Sequence, residues 1–118
     1  MAHKLAATPD VTIDEEGKFK YVLLQLYVEP KAANVAKLVV RGARWAPFHD
    51  DIYESEKTTM NSQGVQVESL GGGQIVHDPR SRTITIGGMS HGLGKADHNL
   101  AAALLSRYYP GYSITVTD

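Results

Sequence analysis

The chain of 118 residues contains no cysteine. That excludes a disulfide framework, a thiolate zinc site and a cysteine nucleophile, and with the last it excludes the usual tyrosine-phosphatase chemistry. Net charge is also nearly absent. Twelve lysines and arginines stand against thirteen aspartates and glutamates, leaving −1. A balance this even argues against a dedicated nucleic-acid or membrane-surface binder. Long apolar runs are missing too. The start, MAHKLAATPD, holds no stretch of signal-peptide length, and no window approaches a membrane span. The expectation is a cytoplasmic, monomeric protein that takes neither nucleic acid nor membrane as a partner. One domain spans 1–118, with residues 1–8 flexible and order beginning at Pro9 and Asp10. A chain of this size buries about two thirds of its unfolded surface, so it folds without metal or disulfide.

Strand signals dominate what is there. VTID reads as a short strand closed by EEG, and Phe19–Val28 (FKYVLLQLYV) is too densely apolar for a half-exposed strand, so it is expected at the centre of a sheet. EPKAANVA reads as a loop and KLVVRG as a second strong strand. Pro47 suits the first turn of a helix. Phe48, Ile52, Tyr53 and Met60 then fall at helical spacing, with Glu54, Glu56 and Lys57 on the wet side, and the end is expected between Asn61 and Gly64. VQVESL alternates as a strand, and Gly71–Gly73 reads as a turn or a bulge. QIVHD and RTITIGG flank a hairpin turn at PRS. A second helix is expected over Ala96–Tyr109, stopped by Pro110 and Gly111, and YSITV is a last strand. Strands outnumber helices and short turns join several of them. A mixed, mostly antiparallel sheet carrying two helices fits better than a doubly wound parallel one.

Three groups of residues could carry chemistry. In TIGGMSHGLGKAD a strand runs through glycines into a helix, with Ser90 and Gly92 within it. Glycines let backbone amides turn toward an anion, and a helix start adds its positive end. The stretch is neither a Walker A loop nor a dinucleotide fingerprint, and a plain surface loop is the competing reading. His49 stands at a helix start between an aromatic residue and Asp50–Asp51. It is either a turn residue satisfied by its neighbours or a general base or nucleophile near neutral pH. The amides that follow it are unpaired within a helix and suit a phosphate. Lys20 inside an apolar strand either snorkels or meets an anion. Arg41 either binds an anion or buttresses an acidic neighbour. His77, His91 and His98 show no metal-ligand spacing, and no metal or cofactor is expected.

Taken together, four segments resemble one family in the right order and at near-identical spacing, over nearly the whole chain. PDVTID with FKYVL is similar to its first two strands, VVRGARWAPFHDDIY to its VRG-x-x-W-A-x-x-H-x-D-I-Y signature, LGGGQIVH to its central glycine turn, and GGMSHGLGKADH to its G-x-S-x-x-x-G-x-A-x-H loop. The family is that of the small phosphohistidine phosphatases, which includes the Janus and Ocnus proteins. The resemblance implies an α/β fold with a six-stranded mixed sheet and two flanking helices. It implies a metal-independent hydrolase acting on phosphohistidine in proteins, with phospholysine cleavage left open. His49 falls on the catalytic histidine, Lys20 on the substrate-binding lysine, and Ser90 on the phosphate-binding serine. Asp50 and Gly92 fall on amide donors, with His91 beside them, and Arg41 on a supporting arginine. Phe48 stands where tyrosine is common, Asp50 where a small residue is familiar, and Gln74 where arginine is often found. A carboxylate at Asp50 must face away from a phosphate. The alternative is a phosphoprotein-binding module of the same fold without turnover.

Overall fold

A computed structural model describes residues 2–28 and 36–117. The loop expected over 29–36 lies, but for Ala36, outside them. The apolar run of the sequence becomes β2 (Gly17–Val28), and its density has a simple cause. Val22, Leu24, Leu26 and Val28 point to one core, while Phe19, Tyr21 and Leu23 point to the other. A strand buried on both faces has no side on which to be polar.

β2 pairs antiparallel with β3 (Lys37–Ala43) on one side and with β4 (Val65–Asp78) on the other. β4 turns through the PRS hairpin into β5 (Thr83–Gly87). In that turn Asp78 Oδ1 accepts the Arg80 and Ser81 amides at 3.1 and 3.3 Å. The two edges are parallel: β1 (Val11–Thr12) on β3, and β6 (Ser113–Val116) on β5. The order is β1-β3-β2-β4-β5-β6, the expected mixed and largely antiparallel sheet of six strands.

Helices cover it from both sides. α1 (Ala2–Ala7) and α2 (His49–Asn61) close the first core through Leu5, Ile52 and Met60, and α3 (His98–Tyr108) closes the second through Ala101 and Leu105. Among the described residues no helix is long and apolar enough to cross a membrane.

The structure differs from the sequence expectation in four places. Helices number three among the described residues, not two: α1 occupies a stretch expected to be a mobile start without an element. Its apolar anchor is Leu5, and Lys37 Nζ donates to the Leu5 carbonyl at 2.7 Å and to that of Thr8 while pairing with Asp10 at 3.0 Å. The cation thus meets the carbonyls that the end of a helix leaves unpaired. VQVESL and QIVHD are one strand rather than two. β4 runs through Gly71–Gly73 with a bulge, since Val22 faces Gly72 and Leu24 faces Ser69. Pro47 lies before the N-cap, which is Phe48, and not in the first turn. α3 starts at His98 because Asp97 caps it, its Oδ1 accepting from Asn99 N–H at 3.0 Å and Leu100 N–H at 3.3 Å.

Leu5 is 5 % exposed. Truncating a buried leucine costs about 2–5 kcal/mol, and a site at the end of a short helix belongs at the low end. Leu5→Ala is therefore expected to lower unfolding stability by about 2 kcal/mol, read from the denaturant midpoint at constant slope. A change below about 0.5 kcal/mol, the size of an ordinary surface substitution, would mean that α1 is not docked.

Candidate active site

The site is built where α2 begins, and three backbone features hold it. His49 is the first residue of α2. Its Nε2–H donates to the Gly73 carbonyl at 2.8 Å. With Nε2 committed as a donor, the neutral ring carries its lone pair on Nδ1. The residue is buried, and its ring lies flat on β4 because Gly72 has no side chain: a Cβ there would stand 2.7 Å from His49 Cδ2 and 2.6 Å from the Tyr21 carbonyl.

The His49 pKa is lowered from its ordinary value. Burial is the main cause, and the Lys20 and His91 charges push the same way, while the bond to Gly73 opposes them. The ring is neutral at pH 7. Asp50, one residue on, is exposed and stands at the cleft.

The first turn of α2 is half capped. Asp51 Oδ2 accepts the Phe48 N–H at 3.0 Å, and the Asp51 N–H reaches the Phe48 carbonyl at 3.1 Å. Phe48 has no side-chain acceptor to complete a capping box. The N–H groups of His49 and Asp50 are left with no carbonyl one turn back, at the positive end of the helix.

The glycine loop supplies the opposite wall. Ser90 and Gly94 close it with paired backbone bonds, Ser90 N–H to the Gly94 carbonyl at 3.1 Å and Gly94 N–H to the Ser90 carbonyl at 2.8 Å. Ser90 Oγ accepts the Leu93 N–H at 3.0 Å, so its own proton is free to be donated. The amides of His91 and Gly92, at the tip, have no acceptor among the described residues. The loop is fastened to β4 by Gly72, which donates to the Gly94 carbonyl at 3.0 Å and accepts the Ala96 N–H at 3.1 Å. One glycine therefore seats the histidine and anchors the loop.

Lys20 arrives by register. It is even-numbered on β2, like Val22 and Leu24, so it points to the α2 side, directly opposite Gln74. The result is a cleft of about 590 Å³ lined by Lys20, His49, Asp50, Ser90, His91 and Gly92, together with Phe48, Asp51, Gln74, Met89 and Leu93. The six residues expected at a site by catalysis or binding converge on it.

Arg41 does not. It is buried, and its Nε donates to Glu56 Oε1 at 3.0 Å, with its terminal nitrogens on the Val40 and Pro9 carbonyls at 2.9 and 2.8 Å. Of the two readings open for it, the buttress fits. It ties β3 to α2 and to the chain entering β1, and so holds the helix that carries His49.

His77 and His98 are occupied. His98 Nε2–H donates to the Gly88 carbonyl at 2.7 Å while Nδ1 lies 2.6 Å from the Tyr21 hydroxyl, whose pKa is pushed well up, first by burial and then by Asp97. His77 bonds the Asp14 carbonyl through Nδ1 at 2.9 Å and the Tyr112 hydroxyl through Nε2 at 3.2 Å. Among the described residues no three His, Asp or Glu side chains gather as a metal-binding group would require. Two participants were not legible in the sequence. The Gly73 carbonyl, which sets the His49 tautomer, carries no side-chain signal at all. Asp51 as a cap could have been found, since an acid three residues after a helix start is half of a capping box.

A family model described as Janus/Ocnus family (Ocnus) matches residues 5–113. The chain belongs to that family. It is 41 % identical over 120 residues to the 14 kDa phosphohistidine phosphatase of Sus scrofa, covering 99 % of this chain and 95 % of the relative. It is 40 % identical over 114 residues to the protein of that name from Homo sapiens, covering 94 % and 91 %. It is also 41 % identical over 116 residues to the sex-regulated protein janus-A of Drosophila pseudoobscura pseudoobscura, covering 97 % and 78 %.

An NMR titration of the imidazole carbons checks the electrostatics of the site. His49 is expected to titrate below the unperturbed value of about 6.5, with its Nε2 protonated throughout. Lys20→Gln removes a charge that disfavours the imidazolium, so the midpoint should move up in pH. A midpoint that stays put or moves down would show that Lys20 does not act on the ring.

Proposed function

We propose that this protein is a protein-histidine phosphatase that hydrolyses phosphohistidine in proteins with no metal. The observation that carries this reading is the neutral His49 with its lone pair on Nδ1, set between two sets of unpaired amides. A phosphoryl group lying between the Asp50 amide and those of His91 and Gly92 would meet N–H donors from both walls, with the Ser90 hydroxyl and the Lys20 ammonium completing the charge. Such donors cost no reorganisation when charge grows on the phosphoryl oxygens.

The P–N bond is labile, so positioning and charge stabilisation supply most of what catalysis needs. In one route His49 Nδ1 takes a proton from water as the water oxygen attacks phosphorus in line. The P–N bond breaks, and its electron pair goes to the leaving ring, which gains a proton from solvent. In the other route Nδ1 itself forms a P–N bond as the substrate's P–N bond breaks and its ring leaves with the electron pair and takes a proton from solvent; water then cleaves the phosphoenzyme, giving inorganic phosphate and free His49. The names of the porcine and human relatives support the reaction class.

Hydrolysis of a phosphohistidine protein with EDTA present is the test. Wild type is expected to be active, and His49→Ala to lose at least about a hundredfold in kcat, the usual scale of a general base, with an unchanged far-ultraviolet spectrum. Equal rates for the two would remove His49 from the reaction, and loss of wild-type activity on adding EDTA would remove the metal-free reading. Binding of phosphopeptide without hydrolysis would mean a binding module instead. A single-turnover reaction with labelled substrate, quenched in alkali, separates the two routes, because only the second leaves label on the protein.

A further inference from the structure

Among the described residues, half of one sheet face has no helix over it. α1 and α2 cover this face where Val22, Leu24, Leu26, Val28, Val65 and Val67 lie. Beyond the bulge the same face continues with Lys18, Val76, Thr85 and Thr115. These stand in one row across four strands, because Lys18 pairs with Val76, Val76 with Thr85, and Thr85 with Thr115. Their odd or even neighbours Ile75, Ile84, Ile86 and Ile114 point the other way, into the core under α3. At the usual strand spacing the row is about 14 Å long. Lys18, Val76 and Thr115 are exposed, and Thr85 is half-buried.

The next row, Lys20 and Gln74, belongs both to this open face and to the cleft. His49, at the tip of α2, sits on the boundary between the covered and open halves. A polypeptide lying on the open half would therefore pass the cleft mouth with no barrier between.

We propose that this open half is the docking surface for the polypeptide that carries the phosphorylated residue, and that it takes an extended segment acidic beside that residue. The proposal rests on the phosphatase reading. Charge selects the occupant. Lys18 and Lys20 have no ion-pair or hydrogen-bond partner among the described residues. Asp78, the acid at the far end of this face, is turned to its own hairpin amides. Glu15 acts on Tyr109, whose ring lies on the α3 side. Asp50 and Asp51 stand at the cleft on the helix side, with Asp51 turned to the Phe48 N–H. The unpaired cations lie on the sheet side, and an acidic segment belongs there. Val76, at 42 % exposed, gives that segment an apolar contact, and Phe48 and Met89, at 68 % and 51 %, stand at the cleft to shield the phosphoryl group from water.

Charge reversal on the open face tests this. Lys18→Glu is expected to raise KM about tenfold for a phosphohistidine protein with acidic flanks, leave kcat intact and flatten the dependence of KM on salt. A single phosphohistidine amide, too small to reach Lys18, should be unaffected. Arg107→Glu, on α3 across the sheet, changes net charge equally and should change neither substrate by more than twofold. In parallel, an acidic peptide carrying a non-hydrolysable phosphonate should shift the amide resonances of Thr85 and Thr115, whereas inorganic phosphate should shift only those of the cleft. Unchanged KM in Lys18→Glu, or peptide shifts confined to the cleft, would overturn the proposal. Shifts at Thr85 and Thr115 with no wild-type hydrolysis of either substrate would keep the docking surface and overturn the phosphatase reading.

Discussion

Three missing side chains on β4 decide the shape of this site. At Gly71 a Cβ would come 2.7 Å from the Ala96 nitrogen, at Gly72 2.7 Å from the His49 ring, and at Gly73 2.5 Å from the His98 ring and 2.4 Å from the Gly87 carbonyl. Real side chains do not tolerate such approaches. The strand can hold a helix start, a loop and a second helix start against its surface only because it is bare there. Gly71 also has φ +105°, a conformation open to glycine at little cost, and this is where the strand bulges. The bulge lets the pattern before it face the cores while Gly72 and Gly73 present backbone to both sides.

From that seat the electrostatics follow. Burying His49 against backbone favours its neutral form, and giving Nε2 a carbonyl acceptor selects which nitrogen can receive a proton. The same Gly72 holds the loop whose amides would bind an anion. Base and anion-binding amides therefore cannot drift apart without breaking two backbone bonds of one residue. Arg41 adds stiffness from behind: with three hydrogen bonds to Glu56, Val40 and Pro9, it fixes α2 to the sheet about two turns beyond His49. Its charge is used within the fold and not on a substrate.

The sequence made some of this legible and hid the rest for identifiable reasons. β2 and β3 announced themselves because strands buried on both faces are dense in branched and aromatic residues. The start of α2 was visible from spacing, although Pro47 proved to precede the cap. His49, Ser90 and Lys20 could be named, two of them by their neighbourhood of glycines or a helix start, but only the whole-chain resemblance put them in one place. Gly71–Gly73 was read as a turn or a bulge, and it is the bulge that the strand has there. Here the glycines answer to tertiary contacts 14 or more residues away, which no local pattern records. α1 was missed because a single leucine among alanines gives no periodicity. Arg41 could not be decided from sequence, since an anion site and a structural carboxylate such as Glu56 ask for the same guanidinium.

A labile P–N bond changes what a site must provide. The barrier needs no strong Lewis acid if water and phosphorus are held in line and the oxygens are met by fixed donors. Backbone amides serve well in that role because their direction is set by the fold and carries no side-chain entropy. Both walls of this cleft offer them, from a helix start and from a glycine loop, and both walls rest on the same strand. The charged side chains then have freedom to do something else. Lys20 lies beside the histidine and also heads the open sheet face, so in the proposed reading one cation would tune the base, meet the phosphoryl group and begin the contact with the polypeptide that carries it.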